Sequence, residues 1–217
     1  MIGGKQYVIT IMDNENSVSA AKRTINSAKK FGMGKVEHWK ATTPRDDIYK
    51  IAEQEYINTA AIDEVYSRTS NCLAAYLSHY RLWKECVELN QEITIFEHDA
   101  VCINNINSHI AYNACISLGK PSYGSFNTPT KLGVNPLTSK RYFPGAHAYR
   151  LKPAAAQMFI QEARMAARPT DVFLNVDIFP FLEEYYPWPV EARDSFTTIQ
   201  TDAGCHAKHN KVEIINA

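Results

Sequence analysis

The chain of 217 residues is long enough for one sizeable α/β domain with a core of its own. Its 23 basic and 23 acidic side chains cancel, so it lacks the positive excess typical of a nucleic-acid-binding protein. Hydrophobic residues make up 45% of the chain, as in globular proteins, and no apolar run reaches the roughly 18 residues that a transmembrane helix needs.

The cysteines and the first residues both indicate a cytoplasmic protein. The five cysteines are an odd number and no two form a Cys-x-x-Cys pair, so reduced, buried thiols are the simplest interpretation. Residues 1–5 lead directly into an apolar segment and lack the pattern of a signal peptide.

The N-terminal segment predicts a strand, a helix and a second strand. Residues 7–12 are a short apolar run typical of a buried strand, and residues 19–31 form a helix with Gly32 placed to end it. A second strand is expected over 35–39. This order predicts a βαβ unit and therefore a parallel sheet.

The middle of the chain carries the clearest periodicity. Residues 46–56 are a candidate helix after Pro44, and a long amphipathic helix is expected from Ser70 to about Asn90. Its apolar stripe is Leu73, Tyr76, Leu77, Tyr80, Trp83 and Val87. A buried strand follows over 93–96, and the apolar pattern resumes at 101–103.

The rest of the chain predicts shorter elements, and we expect a single domain over residues 1–217. The elements are a helix over 107–118, a loop over 121–141, a strand over 143–151, a helix from Pro153 to about 167, a short helix over 172–182 and one or two strands within 190–199.

Glu97 and Asp99 stand directly after the buried strand at 93–96. In open α/β sheets ligands bind beyond the carboxyl ends of the strands, and residues two apart can point to the same side. A divalent cation that keeps positions open for phosphate oxygens would neutralise such a pair. The alternative is a solvated turn, in which acidic residues are common.

Several segments in this order resemble glycosyltransferase family 25, which contains bacterial lipooligosaccharide and collagen hydroxylysine galactosyltransferases. They are SHYRLWKECV at 78–87, ITIFEHD at 93–99, GAHAY at 145–149, PTDVFL at 169–174 and SFTTI at 195–199. The family carries a Leu-Ser-His-x-x-x-Trp helix and then a strand ending in Glu-Asp-Asp, whose middle residue is His98 here.

The resemblance implies a GT-A fold, with a nucleotide-sugar-binding half over about 1–105 and an acceptor half over about 106–217. It makes Glu97 and Asp99 the DxD motif, in which the last carboxylate binds Mn²⁺ or Mg²⁺ and the metal holds the donor diphosphate. His206 and His209 are candidates for a further metal ligand, or are solvated tail residues. The family also implies inverting transfer of galactose or glucose from a UDP-sugar to a hydroxyl acceptor such as a glycan.

Asp171 matches the family's aspartate and is the candidate catalytic base, and Asp177 is the second candidate. Alternatively, Asp171 is only a carboxylate that stabilises a helix N-terminus. Among the candidate donor contacts, Thr10, Met12 and Asp13 are assigned by fold position at the end of the first strand.

Ser78 is a further candidate for donor contact, and His147 is a candidate for contact with the acceptor or a phosphate. Ser78 alternatively packs in the protein. His79, beside it in an apolar stripe, is more simply explained as a hydrogen-bonded structural histidine than as a catalyst.

Two departures from the family affect the donor and acceptor contacts. Residues 71–75 replace its Gly-Glu-x-Gly-Cys run, and its arginine-rich stretch is reduced to Lys22 and Arg23. One alternative is therefore a catalytically degenerate nucleotide-sugar-binding module. A metal-dependent nucleotidyltransferase is the other, although no glycine-rich loop follows the first strand.

Overall fold

A seven-stranded mixed sheet forms the centre of the computed structural model, which describes residues 4–62, 68–105, 110–143 and 146–193. Within these residues the helices are α1 (Glu15–Lys30), α2 (Ile48–Gln54), α3 (Thr69–Glu88), α4 (Pro153–Ala166) and α5 (Thr170–Phe173). The strands are β1 (Lys5–Thr10), β2 (Val36–Lys40), β3 (Ile93–Glu97), β4 (Ala100–Cys102), β5 (Cys115–Ser117), β6 (Gly133–Pro136), β7 (Ala148–Leu151), β8 (Leu182–Tyr186) and β9 (Val190–Ala192).

The sheet has the strand order β2-β1-β3-β7-β5-β8-β6. β1 pairs in parallel with β2 and β3, β7 runs antiparallel between β3 and β5, and β8 is parallel to β5 and antiparallel to β6. A separate antiparallel pair joins β4 to β9. The predicted βαβ unit and its parallel sheet are therefore confirmed for β1, α1 and β2.

Alternate side chains of the central strands enter two different cores. In β1, Tyr7 and Ile9 belong to the larger core, which also holds α3 and α4, whereas Val8 packs with Ala21 and Ala28 of α1 on the opposite face. Both faces of the sheet are covered, which explains why the central strands read as continuous apolar runs rather than as alternating patterns.

Trp83 is the centre of the aromatic packing that fixes α3 on the sheet. It is fully buried, and its ring contacts those of Tyr76 and Tyr80 on α3, Phe159 on α4 and Phe173 on α5. The predicted amphipathic helix is thus confirmed, with its stripe buried against α4, α5 and the sheet.

The helix predicted over 107–118 is wrong where the structure describes it, because Cys115–Ser117 is the buried strand β5. Its pairing with β7 and β8 overrides the local pattern, which does not distinguish a short buried strand from a helix. Similarly, β6 (Gly133–Pro136) lies within the predicted loop over 121–141, and the strand predicted over 143–151 is confined to Ala148–Leu151 among the described residues.

The helix predicted over 172–182 is also wrong. α5 ends at Phe173, where the side chain of Asn175 donates hydrogen bonds to the carbonyl oxygens of Val172 and Phe173. Leu182–Tyr186 is then the strand β8 between β5 and β6. The other predicted elements up to residue 167 are confirmed with small shifts at their ends, and Gly32 has the expected left-handed conformation with a φ of 69°. Of the strands predicted within 190–199, Val190–Ala192 is confirmed as β9, and residues 194–199 lie outside the described residues.

The predicted buried thiols are confirmed for Cys72, Cys86, Cys102 and Cys115, and Cys205 lies outside the described residues. Burial raises the pKa of Cys86 and of Cys102 to about 12, so neither is a reactive thiolate at neutral pH. None of the described helices has the length and apolarity that crossing a bilayer requires.

Candidate active site

Glu97 ends β3, and the two-residue period of the strand turns its side chain to the same face as Ile93 and Ile95. On that face, Nε2 of His79 from α3 lies 3.1 Å from a carboxylate oxygen of Glu97. Nδ1 of His79 lies 2.9 Å from the hydroxyl of Tyr149 on β7. His79 is therefore the hydrogen-bonded histidine expected, and it holds a Glu97 side chain that remains 31% exposed.

Histidines surround the Glu97 carboxylate and keep it charged. Burial favours its neutral form, but the hydrogen bond to His79 and the fields of His79, His147 and His98 outweigh burial and lower its pKa. Glu97 is therefore ionised at neutral pH, as a carboxylate that binds a metal has to be.

The turn after β3 is attached to α1. The hydroxyl of Thr24 lies 2.6 Å from the carbonyl oxygen of Ala100 and 3.0 Å from that of His98. The ring of His98 contacts the hydroxyl of Ser17 at 3.0 Å. His98, the residue that differs from the family motif, therefore faces α1. Glu97, the residue before it, faces α3.

Asp99 lies half-buried in this turn, and its carbonyl oxygen accepts a hydrogen bond from the backbone N–H of Arg193 beside β9. His206 and His209, the candidate histidine ligands, lie outside the described residues. Within the described part of the chain, no three His, Cys, Asp or Glu side chains converge as a complete metal site. The metal assignment of Glu97 and Asp99 stays a prediction.

Asp171 opens α5, and both of its carboxyl oxygens accept hydrogen bonds. The hydroxyl of Tyr123 donates to Oδ2 at 2.7 Å, and the backbone N–H of Val172 donates to Oδ1 at 3.0 Å. Burial raises the pKa of Asp171, and the negative charge of Glu97 adds to this, despite the opposing hydrogen bond from Tyr123. Asp171 is therefore close enough to Glu97 for their charges to interact.

Asp177, the second candidate base, is exposed at the edge of an open cleft of about 670 Å³. Its carboxylate accepts two hydrogen bonds from the guanidinium of Arg141. Its catalytic assignment stays a prediction.

Thr10, Met12 and Asp13 lie at the edge of the sheet where Glu97 ends β3, because Ile9 of β1 is directly opposite Glu97 in the parallel pair. Thr10 is buried, Met12 is half exposed, and Asp13 forms an exposed ion pair with an arginine in the loop after β2. Their contact with a nucleotide stays a prediction.

Ser78 and His147 are both buried. The hydroxyl of Ser78 accepts a hydrogen bond from the backbone N–H of Thr42 at 2.9 Å, which fixes the loop after β2. The carbonyl oxygen of His147 accepts from the backbone N–H of Glu97 at 2.9 Å, and a Cβ on Gly119 would approach its ring to 2.4 Å. Ser78 therefore has a structural contact, His147 packs beside Glu97, and their ligand contacts stay predictions.

Tyr123 and Lys140 are the residues near Asp171 that the sequence did not identify. The ammonium of Lys140 donates to the carbonyl oxygen of Tyr123 at 2.6 Å and lies over its ring. Both come from the irregular segment between β5 and β7, whose Gly, Pro, Ser and Asn content carries no periodic signal. Tyr123 reaches Asp171 across 48 positions of the chain, a contact that local patterns do not encode.

A mixed sheet covered by helices on both faces, with Glu97 at the end of a central strand, is consistent with the Rossmann-like fold of a glycosyltransferase, and the family match shows that class. The family model for glycosyltransferase family 25, described as an LPS biosynthesis protein, matches residues 22–177. The chain belongs to this family. A search of curated proteins gave no match. The family resemblance and the fold class are thereby confirmed.

Proposed function

We propose that the protein is an inverting, metal-dependent hexosyltransferase that moves galactose or glucose from a UDP-sugar to a hydroxyl acceptor such as a glycan. One observation carries the proposal. Glu97 and Asp171 interact electrostatically, and their surroundings shift their pKa values in opposite directions. Two carboxyl groups whose pKa values are shifted apart are typical of a site in which one group stays charged and the other transfers a proton.

Asp171 is the proposed general base. An inverting transfer requires a group that takes the proton of the acceptor hydroxyl while the diphosphate leaves from the opposite face. A carboxyl group whose pKa is raised by burial accepts a proton more readily than an ordinary aspartate does. The hydrogen bonds from Tyr123 and the Val172 backbone fix its orientation for this role.

Glu97 and Asp99 are the residues that would hold Mn²⁺ or Mg²⁺. Both supply the carboxylate oxygens that hard cations prefer, and the cation would complete its shell with water and phosphate oxygens. Glu97 is the residue that fits a divalent cation best, because it is ionised and partly exposed. His79 fixes the position of one of its carboxylate oxygens. When bound, the ion would neutralise charge on the departing UDP.

The competing hypothesis is a catalytically degenerate nucleotide-sugar-binding module, and His98 in place of an acidic residue favours it. However, His98 contacts Ser17 on α1, away from the face on which Glu97 meets α3. The substitution therefore leaves both carboxylates of the candidate pair in place, and activity distinguishes the two hypotheses.

The test is to incubate the protein with UDP-galactose or UDP-glucose and Mn²⁺, and to follow both UDP release and the anomeric configuration of the first sugar product by NMR. We expect slow hydrolysis with inverted configuration, abolished by EDTA and restored by added Mn²⁺. Retained configuration would contradict an inverting mechanism. UDP binding without turnover of any UDP-sugar would favour the binding module.

A further inference from the structure

An open cleft lies beside α5, the helix that carries Asp171. Val172, the next residue after Asp171, lines the cleft, as do Tyr142 and Lys140. Lys140 is close enough to Asp171 for their charges to interact. A molecule in this cleft would therefore contact residues that neighbour the proposed base, as an acceptor has to do.

The charged side chains that line the cleft are predominantly basic: Lys140, Arg141 and Arg168 against Asp177. Arg141 and Asp177 neutralise each other in a direct ion pair. Of the other two cations, Lys140 interacts with the charge of Asp171, and Arg168 forms no ion pair with a described residue. Burial lowers the pKa of Lys140, although Asp171 opposes this, and its ammonium already contacts the carbonyl oxygen of Tyr123.

Arg168 is the cation in the cleft that is available to a ligand. It forms no ion pair with a described residue, and it is only partly exposed. The backbone next to it is fixed, because the N–H of Ala167 donates to the carbonyl oxygen of Asn58 at 2.8 Å and α5 begins at Thr170. A guanidinium that lines a cleft can bind a carboxylate or phosphate through two parallel hydrogen bonds.

The rest of the lining suits a sugar. Phe126 and Tyr142 provide aromatic surface, and Asn127 and Ser139 provide polar groups of the kind that bind hydroxyl groups. We propose that the cleft binds an acceptor sugar that carries an anionic group, a carboxylate or a phosphate, with Arg168 as its principal anchor. The inference rests on the proposed function, since it takes Asp171 as the base beside the acceptor.

The experiment measures binding to the full chain of three probes, methyl galactoside, galacturonate and galactose 6-phosphate, by NMR titration without nucleotide. At least one anionic probe should bind about tenfold more tightly than the neutral sugar, the effect of one charge-assisted hydrogen-bonded contact. Arg168→Gln should remove this advantage, and Arg168→Lys should restore part of it. Added salt should reduce it, because the cleft is open to solvent.

Arg164→Gln is the matched control, since it removes the same charge from the exposed last turn of α4, outside the cleft lining. Equal binding of all three probes, or equal losses in Arg164→Gln and Arg168→Gln, would overturn the inference. So would a loss of UDP binding in Arg168→Gln, because the cleft would then belong to the donor diphosphate. If the wild-type protein binds the anionic probes but not UDP, the proposed donor fails while the cleft assignment stands.

Discussion

At the scale of single residues, the candidate site depends on how two carboxyl groups are held. The carboxylate of Glu97 is hydrogen-bonded to His79, and the charges of His79, His147 and His98 also lower its pKa, so it stays ionised despite burial. Asp171 is buried near that negative charge with one hydroxyl donor, so the pKa of its carboxyl group is raised. Two carboxyl groups thus have their pKa values shifted in opposite directions by their neighbours.

Replacing Asp171 with Asn removes the proposed base while keeping the shape of the side chain. Turnover of the UDP-sugar with an acceptor should fall by roughly 10²- to 10⁴-fold, the usual contribution of a general base, and UDP binding should not change. Initial rates and a UDP titration of the same preparation measure both. Unchanged turnover would move the base to Asp177, for which Asp177→Asn is the direct test.

At pH values above the ordinary pKa of an aspartate, the same substitution should also make the protein more stable than wild type. At low pH the Asp171 carboxyl group is neutral in both the folded and the unfolded protein. The difference in stability between wild type and Asp171→Asn should therefore not change with pH in that range. As pH rises, the unfolded chain ionises first because the folded pKa is raised, and only wild type loses stability. Thermal unfolding at several pH values measures this, and a difference that shrinks with increasing pH would contradict it.

At the scale of elements, the turn over residues 97–99 is positioned from two sides. α1 holds it through Thr24 and Ser17, and α3 holds the Glu97 side chain through His79. Because these helices cover opposite faces of the sheet, the site is formed only when both have packed.

Thr24→Val should loosen the turn at nearly constant side-chain volume. The hydroxyl of Thr24 is the donor closest to the carbonyl oxygens of Ala100 and His98, and removing it should cost about 1–3 kcal/mol of the free energy of unfolding. Urea unfolding measures the change, and Ser19→Ala on the exposed face of α1 is the control. Equal stabilities of Thr24→Val and wild type would show that α1 does not hold the turn.

Tyr149→Phe should weaken the link between β7 and α3. The hydroxyl of Tyr149 accepts from Nε1 of Trp83 at 2.9 Å and contacts Nδ1 of His79, and both partners are buried. Without the Tyr149 hydroxyl, these two buried groups lose a hydrogen-bond partner. The free energy of unfolding, measured in urea, should fall by about 1–3 kcal/mol. Tyr49→Phe, at an exposed position on α2, should change the stability by less than about 0.5 kcal/mol. A similar loss in both variants would contradict the role of this network.

At the scale of the whole molecule, the sequence predicted the N-terminal βαβ unit and α3 because each has a clear local period over many residues. β5 and β8 were missed because three to five apolar residues, buried on both sides, fit a helix as well as a strand. Glu97 was found from its place after a strand, and Asp171 from the family resemblance. Tyr123 and Lys140 were missed because only tertiary packing brings them to Asp171, and Arg168 was missed because the sequence does not show that it lines the cleft.

The central claim is a donor site that needs both a metal and the carboxylates after β3. The most direct measurement is calorimetric titration of the protein with UDP, with and without Mn²⁺, for wild type, Asp99→Ala and Glu88→Ala. Glu88 is the control because it is exposed at the end of α3, several residues before β3 begins. We predict that UDP binds wild type and Glu88→Ala only with Mn²⁺, and that Asp99→Ala weakens binding at least about tenfold. Metal-independent binding, or full affinity in Asp99→Ala, would contradict the account.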